Sequence, residues 1–180
     1  MNNAGKEQYP PIFLIGFMCS GKSRIGRELA SLLHRKHVDI DRVIENEVGP
    51  LRMFFKEKGE DAFRTIETEV LRRSLDLIDV VISTGGGTPC SGDNLGRMKE
   101  AGTVIWLDVP LPALMPRIKR SGGDRPLLFG YKGEALRQRV QDLLSEREPY
   151  YSEAHYIVQA AGAPDVVASR IRAVLDLQAR

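Results

Sequence analysis

The stretch Gly16-Phe17-Met18-Cys19-Ser20-Gly21-Lys22-Ser23 constrains the fold of this chain more than any other. It spells G-x-x-x-x-G-K-S, a glycine-bounded loop that cradles phosphate when it joins a buried strand to the first turn of a helix. Both flanks are present. Ile12-Phe13-Leu14-Ile15 is an apolar run of strand length, and apolar residues at 25, 29, 32 and 33 follow with helical spacing. Strand, loop and helix N-terminus together aim backbone N–H groups and a helix dipole at an anion. The motif assigns Lys22 to β- and γ-phosphates and the Ser23 hydroxyl to Mg²⁺. A chance glycine and serine turn would lack these flanks.

Elsewhere, short apolar β-rich runs alternate with helical patterns. Candidate strands lie at 12–15, 37–40, 79–83, 103–108 and 155–159. Candidate helices lie near 22–35, 41–48, 51–58, 61–77, 91–100, 110–120, 132–146 and 164–178. This alternation predicts a three-layer α/β/α fold, with a five-stranded parallel sheet covered by helices on both faces. Ligands in such folds sit beyond the carboxyl ends of the strands. At 180 residues, with no repeat, low-complexity stretch or linker, the chain reads as one domain over residues 1–180. Residues 1–10 read as a loose N-terminal extension. The run Ser121-Gly122-Gly123-Asp124-Arg125-Pro126-Leu127-Leu128-Phe129-Gly130 is glycine-rich and helix-poor, and reads as a mobile loop. Pro116 falls inside the 110–120 pattern and should kink it or delay its start.

Composition narrows the function classes. A 42% hydrophobic and 28% charged sequence is ordinary for a soluble globular chain. A net charge of +2, with scattered basic residues, gives no reason to expect nucleic acid or an acidic membrane as partner. No apolar run approaches the ~20 residues of a membrane span. The start lacks the apolar core of a signal peptide. The two cysteines, Cys19 and Cys90, fit a reducing compartment better than a disulfide framework, so the expected address is the cytoplasm. His34, His37 and His155 lack metal-ligand spacing and read as structural.

Three further groups allow two readings each. Asp39 and Asp41 end the second candidate strand as Asp-Ile-Asp, and alternation puts both carboxylates on one side. Beside a phosphate loop, one can hold a Mg²⁺ water shell and the other a substrate hydroxyl. Alternatively, Asp41 merely caps a helix starting at Arg42. Gly85-Gly86-Gly87 follows the run Val80-Val81-Ile82. It either uncovers backbone N–H groups for close ligand approach or is a plain flexible connection. Arg64 and Glu67 share a helix face. They form either a surface ion pair or a guanidinium held ready to grip a carboxylate bidentately.

Together these elements resemble the shikimate kinase family, small P-loop kinases of the nucleoside-monophosphate-kinase-like superfamily. The resemblance runs from about residue 11 to about 177. It is carried, in the family's order, by Gly16–Ser23, Asp39-Ile40-Asp41, Gly59-Glu60-Asp61-Ala62-Phe63-Arg64-Thr65-Ile66-Glu67, Ser83-Thr84-Gly85-Gly86-Gly87, Arg120-Ser121-Gly122-Gly123, Arg125-Pro126-Leu127-Leu128 and Arg147-Glu148-Pro149-Tyr150-Tyr151. The phosphate loop alone is widely shared, whereas the ordered set is highly specific.

The resemblance implies ATP-dependent phosphorylation of the 3-hydroxyl of shikimate, in aromatic amino-acid biosynthesis, by a monomer using ATP and Mg²⁺. It implies that Gly16, Cys19, Ser20, Gly21, Lys22 and Ser23 surround the ATP phosphates, with Ser23 and Asp39 on the metal. Asp41 would bind acceptor hydroxyls and orient or deprotonate the attacking one. Arg64 and Arg147 would clamp the acceptor carboxylate, with Glu67 fixing Arg64. The Gly85, Gly86 and Gly87 backbone would line the acceptor pocket, with Phe55 and Phe63 as its apolar wall. Arg125 would act from a lid over residues 121–130, closing over both substrates and burying Leu127 and Leu128. Arg120 would cover the adenine, and Pro164 would belong to the adenine loop.

The chain departs from the family's pattern at two places. Cys19 stands where the family usually has glycine, so a left-handed conformation there would be strained. The stretch Gln159-Ala160-Ala161-Gly162-Ala163-Pro164 lacks the polar residues often found in the adenine loop. The competing functions are a kinase for another sugar acid, such as gluconate, and a catalytically inactive shikimate-kinase-like binding domain. The first is opposed by the Asp39, Asp41, Arg64 and triple-glycine set. The second is opposed by the retention of Lys22, Asp39, Asp41 and Arg125.

Overall fold

The computed structural model of the chain describes residues 8–121 and 125–177. The strands are β1 (Ile12–Ile15), β2 (Lys36–Asp39), β3 (Val80–Ser83), β4 (Thr103–Asp108) and β5 (Tyr156–Gln159). They form one parallel sheet in the order β2-β3-β1-β4-β5. Every residue of β1 and β3 is buried, which requires cover on both faces and explains their continuous apolar runs. The helices are α1 (Lys22–Leu32), α2 (Ile40–Val48), α3 (Leu51–Ser74), α4 (Asn94–Ala101), α5 (Leu111–Arg120), α6 (Gly133–Tyr151) and α7 (Pro164–Asp176). α1 lies against the sheet and packs on α7. Parallel strands leave all five carboxyl ends on one edge, and the phosphate loop, Asp39 and the glycine triplet all follow strand ends there.

Several boundaries differ from the sequence expectation, each for a physical reason. β2 ends at Asp39, not residue 40. The Asp39 side chain accepts from the Arg42 N–H (3.4 Å) and starts α2, while Ile40 turns fully into the core as its first helical residue. Asp41 therefore lies in the first turn of α2 and not on a strand, and the helix cap assigned to it as the alternative is Asp39. The two helices read at 51–58 and 61–77 are one element broken at Gly59, whose φ of 81° and ψ of −179° are non-helical. α6 runs past residue 146 through Pro149 to Tyr151, so Arg147 is a helical residue. α5 runs from Leu111 through Pro116 to Arg120, so Pro116 does not delay its start.

The loop after α5 carries a 3₁₀ turn at Pro126–Leu128, and Leu128 is buried there. Gly122 and Gly123 lie outside the described residues, as do residues 1–7. Tyr9, within the stretch expected to be loose, is tied to Asp79 by bonds of 3.1 and 2.9 Å. No helix among the described residues is long and apolar enough to cross a membrane.

Candidate active site

The phosphate loop is held open by its own geometry. Gly16 has a φ of 136°, and a Cβ there would stand 2.8 Å from the Leu107 carbonyl oxygen, so only glycine fits. Gly21 also has positive φ, at 101°. Cys19 adopts a φ of 62°, the left-handed conformation expected to be strained for cysteine. Lys22 is 8% exposed, and its ammonium donates to the carbonyls of Gly16 (2.8 Å) and Phe17 (2.9 Å). Burial holds its pKa down to about 8, against the opposing pull of Asp41, with Arg125 adding to the depression. An anion entering the loop would favour the charged form and raise that pKa again. The Ser20 hydroxyl is buried without a partner among the described residues.

A second cation grips the loop from outside. Arg117, on α5, donates to the carbonyls of Ser20 (3.2 Å) and Cys19 (3.5 Å). Sequence reasoning did not single it out, since nothing in its local pattern distinguishes it from a surface arginine. Arg120, assigned to the adenine, is exposed and bonds back to Pro116 of its own helix (3.4 Å). Position 117, one turn earlier, faces the loop instead. Pro164 is the first residue of α7, at the strand-end edge that carries the loop.

The glycine triplet is where the two halves of the site meet. A Cβ on Gly85 would collide with Glu67 Oε1 and lie 3.1 Å from Asp41 Oδ1. One on Gly86 would lie 3.1 Å from the Met18 N of the phosphate loop and 3.2 Å from Arg147 Nη1. One on Gly87 would stand 2.6 Å from the Arg64 guanidinium carbon. The triplet is thus a close approach, and the flexible-connection reading falls. The Tyr151 hydroxyl donates to the Gly86 carbonyl (2.5 Å) and fixes this turn. Tyr151 is fully buried, and burial drives its phenol above the usual range.

Arg64 and Glu67 are not a surface pair. Glu67 is 0% exposed and accepts from Arg64 Nη1 (2.7 Å) and from the Thr88 hydroxyl (2.6 Å). Arg64 also bonds Glu60 (2.9 Å) and lies 5.4 Å from the Phe63 ring centre. Phe55 and Phe63 pack with centroids 4.6 Å apart. Arg147 is 7% exposed, over the Phe17 ring at 5.6 Å. Thr88 was missed by sequence reasoning, although its place right after the triplet was the available signal. Cys90 lies near Arg147 and Arg64, and burial pushes its thiol up to about 11.

Asp41 is partly buried and has its pKa raised to about 6. Desolvation is the main cause, followed by the Glu67 and Asp39 carboxylates, with Lys22 and Arg125 opposing. A carboxylate tuned toward neutrality beside a phosphate loop suits the handling of a hydroxyl proton. Arg125 acts electrostatically on both Lys22 and Asp41, and its Nε is buried without a partner among the described residues. An orphaned cationic donor at that place fits an anionic ligand. Among the described residues no cluster of three or more His, Cys, Asp or Glu could hold a metal alone. The hydroxyl of Ser23 and the carboxylate of Asp39 are hard oxygen donors, the few that Mg²⁺ needs when phosphates and water complete its shell.

The family model described as shikimate kinase matches residues 18–176. A shikimate kinase of Persephonella marina is 41% identical over 84% of this chain and 89% of its own length. The structure of a shikimate kinase from Acinetobacter baumannii in complex with shikimate superposes with a TM-score of 0.88, at 36% identity over 94% of each chain. That of a Bacteroides thetaiotaomicron shikimate kinase also gives 0.88, at 31% identity over 94% of this chain and 99% of that one.

Proposed function

The chain belongs to the shikimate kinase family, and from that premise we propose that it transfers the γ-phosphoryl group of ATP to the 3-hydroxyl of shikimate, as a cytoplasmic monomer. The observation that carries the residue roles is the contact of one turn, Gly85–Gly87, with both halves of the site. It lies against the Met18 amide of the phosphate loop, against Asp41, and against Arg64 and Arg147.

In this reading, Lys22 leaves the Gly16 and Phe17 carbonyls and bonds the β- and γ-phosphates. The loop amides from Gly16 through Ser23 wrap the phosphate chain. Ser23 and Asp39 would hold Mg²⁺, directly or through water, and the ion would screen the phosphate charge. Arg64 and Arg147 grip the acceptor carboxylate from two elements. Glu67 and Thr88 keep Arg64 from turning away, and Phe55 and Phe63 cover the ring's apolar side. Asp41 accepts a hydrogen bond from the attacking hydroxyl and takes its proton as the bond to phosphorus forms. Arg125 neutralises the equatorial oxygens of the transferring group, where charge is spread in the transition state. Arg120 would cover the adenine, while Arg117 holds the loop carbonyls from outside.

A coupled ADP-release assay with Mg-ATP tests this against shikimate, gluconate and no acceptor. Turnover is expected with shikimate alone, with phosphorus NMR placing the phosphate on the 3-oxygen. Equal turnover with gluconate, or ADP release indifferent to acceptor, would refute it.

A further inference from the structure

The two protein donors assigned to the metal sit on different elements, Ser23 on α1 and Asp39 at the end of β2. One side-chain chain joins those elements from below. His37 Nε2 lies 2.9 Å from Ser83 Oγ, and Ser83 Oγ donates to the Lys22 carbonyl at 2.9 Å. A hydroxyl has one proton, and a carbonyl can only accept. With the Ser83 proton on Lys22, His37 Nε2–H must donate to Ser83. The direction of both bonds is thereby fixed.

Three further observations place this relay at the metal half-sites. Ser83 is the register partner of Asp39 in the β2–β3 ladder, and His37 lies two residues before Asp39 on the same strand face. The relay fits only because position 26 is glycine. A Cβ there would stand 2.6 Å from both His37 Nε2 and Ser83 Oγ. Finally, the bonded carbonyl belongs to the peptide between Lys22 and Ser23. In a trans peptide, C=O and N–H point in opposite directions. Holding the Lys22 oxygen from beneath therefore aims the Ser23 N–H out of the helix N-terminus, toward the phosphate.

We propose that His37 and Ser83 are positioning residues for the Mg-nucleotide site. They hold edge strand β2 and the first turn of α1 in the mutual register that lets Asp39 and Ser23 serve one ion. This rests on the assignment of Ser23 and Asp39 to the metal. β2 pairs on one side only, with β3. Without the relay its carboxyl end keeps the ladder and its packing on α1 but loses this hydrogen-bonded tie to it. His37 and Ser83 are not among the residues assigned to either substrate, so the expected effect is on how the ion is shared and not on nucleotide recognition as such.

The test is titration calorimetry of ATP in EDTA and in excess Mg²⁺, for wild type, Ser83→Ala, Ser83→Thr, His37→Phe and His37→Gln. Ser83→Ala removes a single oxygen and is the variant expected to fold in any case. The expected result is ATP affinity in EDTA within twofold of wild type, with the Mg²⁺-dependent gain cut about tenfold in Ser83→Ala and His37→Phe. Ser83→Thr keeps the hydroxyl and His37→Gln keeps a donor, and both should retain most of the gain. The double variant should lose no more than either single one. An unchanged Mg²⁺ gain in Ser83→Ala overturns the proposal, as does an equal loss in EDTA. Ser23→Ala serves as the reference. If Ser23→Ala leaves the wild-type Mg²⁺ gain intact, the metal assignment itself is wrong, a failure distinct from that of the relay.

Discussion

Gly87→Ala offers an unusually clean perturbation of the acceptor side. Gly87 has a φ of −95° and ψ of −10°, a conformation open to any residue, so alanine brings no backbone strain. The new methyl group would stand 2.6 Å from the Cζ, Nη1 and Nη2 of Arg64. Ordinary non-bonded contact needs about 3.5 Å, so the guanidinium must retreat by roughly 1 Å. It cannot retreat freely, because Nη1 is held by the fully buried Glu67 at 2.7 Å. A displacement of that size takes one arm of the carboxylate clamp out of bidentate reach. Losing one desolvated, charge-assisted partner costs about 2–5 kcal/mol, and the lower figure is about a 30-fold loss of affinity. Calorimetric titration of shikimate into Gly87→Ala should therefore show at least that loss, with ATP affinity within twofold of wild type. Overpacking will also lower the melting temperature modestly, by an overlap cost of about 1–3 kcal/mol. Shikimate affinity within threefold of wild type, in a folded variant, would refute both the clamp role of Arg64 and the reading of Gly87 as a required close approach.

Other consequences follow from the same geometry. Asp41→Asn should keep nucleotide binding and lose about 10²- to 10⁴-fold in kcat, and wild-type kcat/KM should rise with pH through an apparent value near 6. The native-state pKa of Asp41 lies above its ordinary 3.8, so its proton stabilises the fold only at low pH and that contribution is lost as pH rises through about 6. Asp41→Asn should accordingly raise the melting temperature at pH 8 and leave it nearly unchanged at pH 4, and a lower value at pH 8 would contradict the desolvation argument. Glu67→Ala leaves Arg64 and the Thr88 hydroxyl without their buried acceptor, and chemical denaturation should report a loss of about 3–5 kcal/mol. Arg125→Ala should lower kcat by orders of magnitude while both substrates still bind, because its interaction is strongest in the transition state. Normal turnover in that variant would make the lid arginine incidental.

The sequence by itself determined the local chemistry. G-x-x-x-x-G-K-S between an apolar run and a helical pattern specifies a phosphate loop, because that conformation needs glycines at Gly16 and Gly21 and a helix N-terminus directly behind them. Alternating strand and helix periods likewise determined a parallel sheet with its ligands at one edge. Single spacings could not decide between roles that differ only in burial. By spacing alone Arg64 and Glu67 favour a solvated surface pair, and only the packing of α3 against the glycine turn takes Glu67 out of water. Asp41 read as a residue ending the second strand or as a helix cap, yet the core claims Ile40 for the helix, Asp39 caps it, and Asp41 falls in its first turn. Arg117 gave no local signal, and Thr88 only its place after the glycine triplet, since what they bond, the loop carbonyls and the Glu67 carboxylate, is remote in the chain. Long-range contacts of this kind are set by how α5 and the glycine turn dock on the sheet, and docking depends on the whole apolar surface. No window of sequence contains that information.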